Sequence, residues 1–331
     1  MKQNFMVPFF FICFCILSQT GCPQESSSLS SVWLSGLTQV TMTQTEKTKA
    51  FVFGLERVRL MAKGEMNPVM DYLLQVDFAK QTTQTDKDGD TPGLIKDAVL
   101  TFKPWEIASI SVGKMKTPIG MEFNTSGKKL DFVKRGPGQM LVFERNVGLM
   151  IHAGAIGKLK FGYKAGVFNY GPANANETGN ATSGQDYTLA AHSHVFLSKH
   201  IYVEGFCGSA ITHVTGQKHV MVWGTGVKAM LPGKVQLKGE WIARDDSQNI
   251  NADGNDFYIQ GCYPLFPCLE LAVKYEKLEV TNNSLDQSVI SSGLNIFLNP
   301  SKHEEARIQI NYISSNLEGQ DVFLIMYQGA F

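Results

Sequence analysis

The C-terminal stretch Asp321-Val-Phe-Leu-Ile-Met-Tyr-Gln-Gly-Ala-Phe331 decides the fold class of this chain. Side chains alternate along a strand, and one face of this stretch carries Phe323, Ile325, Tyr327 and Phe331. The other face carries Leu324, Met326 and Gln328. Termini of soluble domains usually fray, whereas a membrane β-barrel must pair its last strand with its first. The stretch therefore predicts the closing strand of a barrel, and an edge strand of a soluble core is the alternative.

The first 21 residues have the pattern of a secretory signal peptide. Lys2 supplies a positive charge, residues 5–17 are almost entirely apolar, and small and polar residues follow at 18–21. We therefore expect residues 1–21 to direct export and residues 22–331 to form one domain, which the signal peptide alone allows to be periplasmic, secreted or inserted as a barrel into the bacterial outer membrane. A retained anchor and lipid attachment at Cys22 are the alternatives. Beyond residue 22 no apolar run approaches the ~20 residues that a membrane-spanning helix needs.

Composition narrows the functional classes. The formal net charge is zero at pH 7, which argues against a nucleic-acid partner. The 21 phenylalanines and 10 tyrosines suit the aromatic girdles of membrane barrels. Cys207, Cys262 and Cys268 are an odd set without metal-ligand spacing. Cys262 and Cys268 flank a turn, so a disulfide formed in the periplasm and free, packed thiols are both open.

From about residue 31 onward the chain consists of strand-like segments without helical periodicity. About sixteen segments are recognisable, with an uncertainty of about two. Long polar loops at 81–94, 117–142, 170–186 and 244–255 alternate with tight turns. Outer-membrane barrels have long loops at one end and short turns with both termini at the other. The expected fold is therefore an all-β, antiparallel transmembrane barrel.

Several segments are apolar on one face and polar on the other. In residues 305–312, Ala306, Ile308, Ile310 and Tyr312 alternate with Arg307, Gln309 and Asn311. In a barrel the apolar face contacts lipid and the polar face lines the lumen. The expected lumen-facing charges are Arg57, Arg59, Lys160, Lys164, Lys234, Lys238, Lys274 and Arg307, with Asp77, Glu240, Glu270 and Glu276. Glu56 is out of register with Arg57 unless a bulge intervenes.

The ordered series of segments resembles the phosphate-selective porins O and P of Gram-negative outer membranes. Residues 54–60 (Gly-Leu-Glu-Arg-Val-Arg-Leu) are similar to the arginine-rich second strand of that family. Residues 112–122 (Val-Gly-Lys-Met-Lys-Thr-Pro-Ile-Gly-Met-Glu) resemble its strand and loop entry. Similar segments follow in order at 143–148, 164–171, 293–299 and 306–312. The resemblance implies a sixteen-stranded, usually homotrimeric barrel whose third long loop folds inward and narrows the pore. Outer-membrane lipid and the barrel assembly machinery are then its expected partners.

A porin does no covalent chemistry, because the size and charge of its constriction do the work. The inward loop is expected at 117–142, and between residues 114 and 145 cationic residues outnumber acidic ones. Such an excess in a narrow passage concentrates anions. The candidate pore residues are Arg57, Arg59, Lys114, Lys116, Lys128, Lys129, Lys134, Arg135, Arg145, Lys160, Lys164 and Arg307, with Phe331 as the assembly signal. A solvated surface loop is one alternative, and structural pairing of Arg57 and Arg59 with Asp77 is another.

The basic residues depart from those of the phosphate-specific members. The chain has only six arginines, and lysine supplies most of the positive charge. The planar fork of arginine suits bidentate binding of phosphate, whereas lysine attracts anions without imposing that geometry. We therefore expect small anionic solutes to be favoured, and specificity for phosphate or polyphosphate is implied by the resemblance alone.

The motifs favour a channel over an enzyme. His192, His194, His200, His213 and His219 lack the spacing of a zinc enzyme, and no Gly-x-Ser-x-Gly or phosphate-loop motif is present. We expect no cofactor and no metal. A barrel that acts as an adhesin or structural surface protein through its long loops is the second class. A position of loop 117–142 inside the lumen distinguishes the channel from it.

Overall fold

The computed structural model describes residues 32–47, 49–79, 94–169, 187–211, 219–246, 253–281 and 285–331. Sixteen antiparallel strands run through these residues, and β16 pairs with β1, so that the sheet closes into a barrel. The strands are β1 Trp33–Thr45, β2 Phe51–Asn67, β3 Met70–Asp77, β4 Ile95–Trp105, β5 Ala108–Lys116, β6 Arg145–Ile156, β7 Phe161–Asn169, β8 Tyr187–Ser198, β9 Ile201–Ile211, β10 His219–Met230, β11 Gln236–Asp246, β12 Gly254–Phe266, β13 Leu269–Val280, β14 Leu285–Phe297, β15 Ala306–Ser315 and β16 Val322–Ala330. The predicted fold class is confirmed. The expected signal peptide, Cys22 and most of the loops 81–94, 170–186 and 244–255 lie outside the described residues.

The C-terminal stretch closes the barrel as its alternation predicts. Leu324, Met326 and Gln328 are fully buried on the inner face, whereas Tyr327 and Phe331 are exposed on the outer face. The Phe331 backbone donates to the Gly36 carbonyl at 3.2 Å and accepts from the Gly36 N–H at 3.1 Å. The Phe331 ring covers Gly36, where any side chain would collide with it. The terminus is therefore bound into the sheet.

Several strands place polar residues inside the barrel and apolar residues outside. In β15, Arg307, Gln309 and Asn311 are buried inside the barrel, while Tyr312 is about half exposed on the outside. In β13 the exposed Tyr275 lies between the buried, inward-facing Lys274 and Glu276. In these strands polar side chains line the lumen and apolar side chains face the membrane, as in outer-membrane barrels.

A β-bulge in β2 resolves the register of its charged residues. Gln39 pairs with Arg57, but the next residue of β1, Val40, pairs with Leu55. Glu56 is therefore the extra residue of a bulge, which lets the strand change parity without breaking the sheet. The bulge that the sequence requires is present.

The segment between β5 and β6 folds into the barrel. Residues 117–144, here called the constriction loop, contain the short helix α1 (Met121–Asn124) and the 3₁₀ turns Gly127–Lys129 and Pro137–Leu141. A further 3₁₀ turn, Pro232–Lys234, precedes β11. No helix in the described ranges is long and apolar enough to cross a membrane. Ile119 and Leu141 are completely buried against inward-facing Phe168, Phe206 and Val222. An apolar core thus fixes the loop inside the lumen.

Candidate pore constriction

Side chains that point into the lumen hold the constriction loop against the wall. Both carboxylate oxygens of Glu240 in β11 accept backbone N–H groups of α1, from Met121 and from Glu122. The first N–H groups of a helix lack partners within the helix, so this carboxylate satisfies two of them. Asn311 in β15 accepts the N–H of Val133 at 2.8 Å. Further side chains donate to carbonyl groups of the loop: Gln39, Arg57, Arg244, Gln309 and Gln328.

Lys274 in β13 attaches the loop to the wall by charge. Its ammonium group lies 3.0 Å from the Glu122 carboxylate and 2.6 Å from that of Glu276. Glu276 also accepts the N–H of Gly138 at 3.0 Å, and both Lys274 and Glu276 are almost completely buried. Three inward charges identified from the sequence, Glu240, Lys274 and Glu276, are therefore covered by the loop and act as its anchors.

Three cations of the constriction have no carboxylate partner. Lys116 and Arg135 both donate to the Thr125 carbonyl, at 3.3 Å and 2.6 Å. Both lie over the Phe123 ring, 5.0 Å and 5.8 Å from its centroid. Lys134 is exposed. Within the described part of the chain, no carboxylate lies within ion-pair distance of Lys116, Lys134 or Arg135, which we call the uncompensated cations.

The arginines of β2 have structural partners. Arg59 lies 2.8 Å from Asp77, its cross-strand neighbour in β3. Arg57 lies 3.3 Å from Glu56 and is almost completely buried beneath the loop. The alternative of pairing with Asp77 therefore describes the contacts of Arg59 but not those of Arg57, which pairs with Glu56 instead. Both arginines lie on the lumen face.

Arg145 and Arg135 add positive charge to the same region. Arg145 is bound by Asp97, with 3.0 Å between Nε and Oδ1. Burial, then the nearby charge of Arg57 and, less strongly, that of Arg145, lower the pKa of Arg135 to about 10, while Glu122 opposes this shift. The Arg135 guanidinium therefore stays charged at neutral pH.

A vestibule lies on the short-turn side of the loop. It has a volume of about 730 Å³ and is bordered by Lys128, Lys129 and Arg307. Lys128 and Lys129 share Glu304, at 3.7 Å and 3.5 Å, and Arg307 donates to Gln328 at 3.3 Å. The Glu304 carboxylate therefore partly compensates Lys128 and Lys129, which distinguishes these two lysines from the uncompensated cations.

Not all predicted wall residues line the passage. Lys160 belongs to the turn before β7, has a φ of 46° and is exposed above the Phe196 ring. The expectation that it faces the lumen from a strand is wrong, because β7 begins at Phe161. Lys234 likewise lies in the 3₁₀ turn before β11. Lys114 is only 4% exposed, so it does not meet solutes.

A second charged group lies on the opposite wall, and of its members only Lys164 was predicted from the sequence to line the lumen. Lys164 in β7 pairs in register with His152 of β6 and His192 of β8. His192 Nε2 lies 3.6 Å from the Glu204 carboxylate, which also accepts the Tyr202 hydroxyl. Alternation along the strand could have indicated these histidines, because His192 and His194 are two residues apart and both occupy inward positions of β8. Because the group mixes both signs of charge, it adds little net charge.

One group of side chains has metal-ligand geometry. Asp131, Cys262 and Glu270 each offer one ligand atom, and these atoms lie within 4.8 Å of one another. Lys238 forms an ion pair with Asp131. The Lys238 ammonium therefore already supplies positive charge where a metal ion would bind. The cysteines of the described residues are free thiols, which agrees with the free-thiol alternative.

Solved porin structures share this fold. The anion-selective porin from Comamonas acidovorans matches with a TM-score of 0.67 and 13% identity, over 91% of this chain and 100% of that one. OmpT, an outer membrane protein of Vibrio cholerae in its trimer form, matches with a TM-score of 0.64 and 13% identity, over 92% and 100%. Salmonella typhi OmpF in complex with daunomycin matches with a TM-score of 0.63 and 13% identity, over 91% and 98%. At such identities the likeness shows the fold alone.

Comparison with curated protein sequences finds no match. The family model described as phosphate-selective porin O and P matches residues 37–205, just over half of the chain. That range includes β2 with its bulge, the constriction loop and the wall from β1 into β9. The chain therefore belongs to the phosphate-selective porin O and P family and forms an outer-membrane channel.

Proposed function

We propose that this channel passes small hydrophilic solutes by passive diffusion and favours anions. The observation that carries the proposal is the positive charge of Lys134 and Arg135, two of the uncompensated cations, in the inward loop. In a narrow passage, unpaired positive charge lowers the energy of an anion and raises that of a cation. One charge ~8 Å from the ion, at an effective dielectric constant of ~20, contributes about 2 kcal/mol before screening.

The arginine contacts support a general anion preference and not phosphate specificity. All six arginines lie in the described residues, and four form ion pairs with carboxylates: Arg57, Arg59, Arg145 and Arg244. Arg135 donates to loop carbonyl groups and Arg307 to Gln328. Bidentate phosphate binding needs a free guanidinium fork. The lysines attract anions without that requirement.

The position of the constriction loop favours a channel over a surface protein that acts through its loops. Hydrogen bonds from side chains of β1, β2, β11, β13, β15 and β16 to the loop backbone hold residues 117–144 within the lumen. The trimer form of OmpT among similar folds supports a homotrimer. The roles of residues 1–21 in export and of Phe331 in assembly stay predictions.

The anion preference is tested by the zero-current potential across a planar bilayer that separates two KCl concentrations. We expect single-channel steps and a potential of the sign set by chloride. Phosphate added at the chloride concentration should carry current without blocking it. A potential of the sign set by K⁺ would contradict the anion preference, and a protein that inserts without conductance steps would contradict the channel.

A further inference from the structure

Three histidines lie in one row across the lumen wall. His152 belongs to β6, and His192 and His194 belong to β8. Lys164 of β7 lies between these two strands and pairs in register with both His152 and His192. The ring centroids of His192 and His194 are 5.5 Å apart. Four basic side chains therefore share one patch of the wall.

One carboxylate, Glu204 of β9, compensates this patch. Nε2 of His192 lies 3.6 Å from it, and it also accepts the hydroxyl of Tyr202. Lys228 of β10 adds an ammonium group 5.2 Å from the centroid of the Tyr202 ring. Among the described residues, no other carboxylate lies within ion-pair distance of the three histidines, Lys164 or Lys228. With neutral histidines the patch thus carries two positive charges and one negative charge.

The histidines have ring nitrogens that can take up a proton. Nδ1 of His192 and Nδ1 of His194 are buried and form no hydrogen bond with a described residue. A neutral imidazole carries one N–H and one bare nitrogen. The Glu204 carboxylate attracts the N–H of His192 to Nε2, so Nδ1 is the bare nitrogen of that ring. The third ring, His152, contacts the uncharged Ser111 hydroxyl of β5 at 2.8 Å. Each of the three rings can therefore gain one positive charge.

The patch borders the constriction loop. A Cβ atom at Gly226 of β10 would come within 2.9 Å of Met121 Sδ in α1 and within 3.1 Å of Glu204 Cγ. The helix of the loop therefore lies beside the patch, and ions that pass the loop are exposed to the charge of this wall. Protonation of all three histidines would raise the charge of the patch from +1 to +4, since it holds two ammonium groups and one carboxylate.

We propose that His152, His192 and His194 are specificity-determining residues that strengthen the preference for anions as the pH falls. Imidazole is the side chain that ordinarily changes its charge between pH 5 and 8. Each added proton raises the positive potential beside the constriction, which favours anions and disfavours K⁺. The inference rests on the proposed anion preference, because the loop cations set the selectivity when the histidines are neutral. A pH profile separates the two contributions, since lysine and arginine ordinarily stay charged over this range.

The test is the zero-current potential of the full-length channel in a planar bilayer with a KCl gradient, at about pH 8 and about pH 5.5. We expect the permeability ratio of chloride to potassium to rise roughly threefold or more at the lower pH, because three added charges act through partial screening by salt. The triple variant His152→Gln, His192→Gln and His194→Gln should have the same ratio at both pH values. His200→Gln, at the exposed turn before β9, is the matched control and should keep the wild-type rise.

Two results would overturn the proposal and leave the anion preference intact. One is a potential of the chloride sign that does not change between the two pH values. The other is a triple variant that keeps the full rise, which would assign the proton uptake to other groups. A potential of the K⁺ sign at the higher pH would contradict the anion preference as well. If the triple variant does not fold, His194→Gln alone should lose part of the rise, and full retention would count against the proposal.

Discussion

Replacing Lys274 with methionine should release the constriction loop and raise the single-channel conductance roughly twofold or more, because the loop narrows the passage. The Lys274 ammonium lies between two carboxylates, 3.0 Å from Glu122 and 2.6 Å from Glu276. Removal of one partner from a buried ion pair costs about 3–5 kcal/mol, since the remaining charge is uncompensated. The strands are joined by backbone hydrogen bonds, so the barrel itself should stay closed.

Lys277→Met is the matched control for this prediction. Lys277 belongs to the same strand and pairs with Glu279 at a partly exposed position. Ion pairs near the solvent contribute little to stability, so the conductance should stay at the wild-type level. Both variants are measured in planar bilayers after heat-dependent gel mobility confirms folding. A folded Lys274→Met barrel with wild-type conductance would show that this ion pair does not hold the loop.

The second large effect concerns selectivity. The double variant Lys134→Gln and Arg135→Gln removes two of the uncompensated cations. If each contributes about 2 kcal/mol at ~8 Å, part of which salt screens, the permeability ratio of chloride to potassium should fall about five- to tenfold. The zero-current potential in a KCl gradient measures this ratio directly, and low ionic strength gives the largest difference.

A second double variant distinguishes the effect of where the removed charges lie from the effect of how many charges are removed. Lys128→Gln with Lys129→Gln removes the same number of charges from the same loop, but these lysines share Glu304 and border the wider vestibule. We expect the permeability ratio to change less than about twofold, because the nearby carboxylate already offsets them. Equal effects of the two double variants would mean that total charge, and not the constriction, sets selectivity.

The architecture was predictable because strand alternation is local. Arg307, Gln309 and Asn311 face inward as their spacing indicates, since the period of two leaves each side chain one choice of face. The conflict between Glu56 and Arg57 also predicted a bulge correctly. In both cases, a pattern of neighbouring residues contained all the information that was needed.

The constriction was only partly predictable, because parity shows that a side chain points inward but not what covers it. Lys274 and Glu276 are loop anchors, and the sequence offers no local signal that residues 122 and 138 will reach them. Arg59 pairs with Asp77 in register, which parity and strand order did indicate. The prediction for Lys160 was wrong because the residues just before Phe161, which look like the start of a strand, form a turn.

The most direct test of the central claim places a chosen charge at residue 134. Lys134→Cys is made in a chain whose native cysteines are all replaced by serine, and the inserted channel is exposed to thiol reagents of opposite charge. An ammonium reagent should restore the zero-current potential toward the anion-selective value, and a sulfonate reagent should shift it toward the potassium value. If neither reagent changes the potential although labelling is complete, Lys134 lies outside the ion path and the proposed origin of selectivity is wrong.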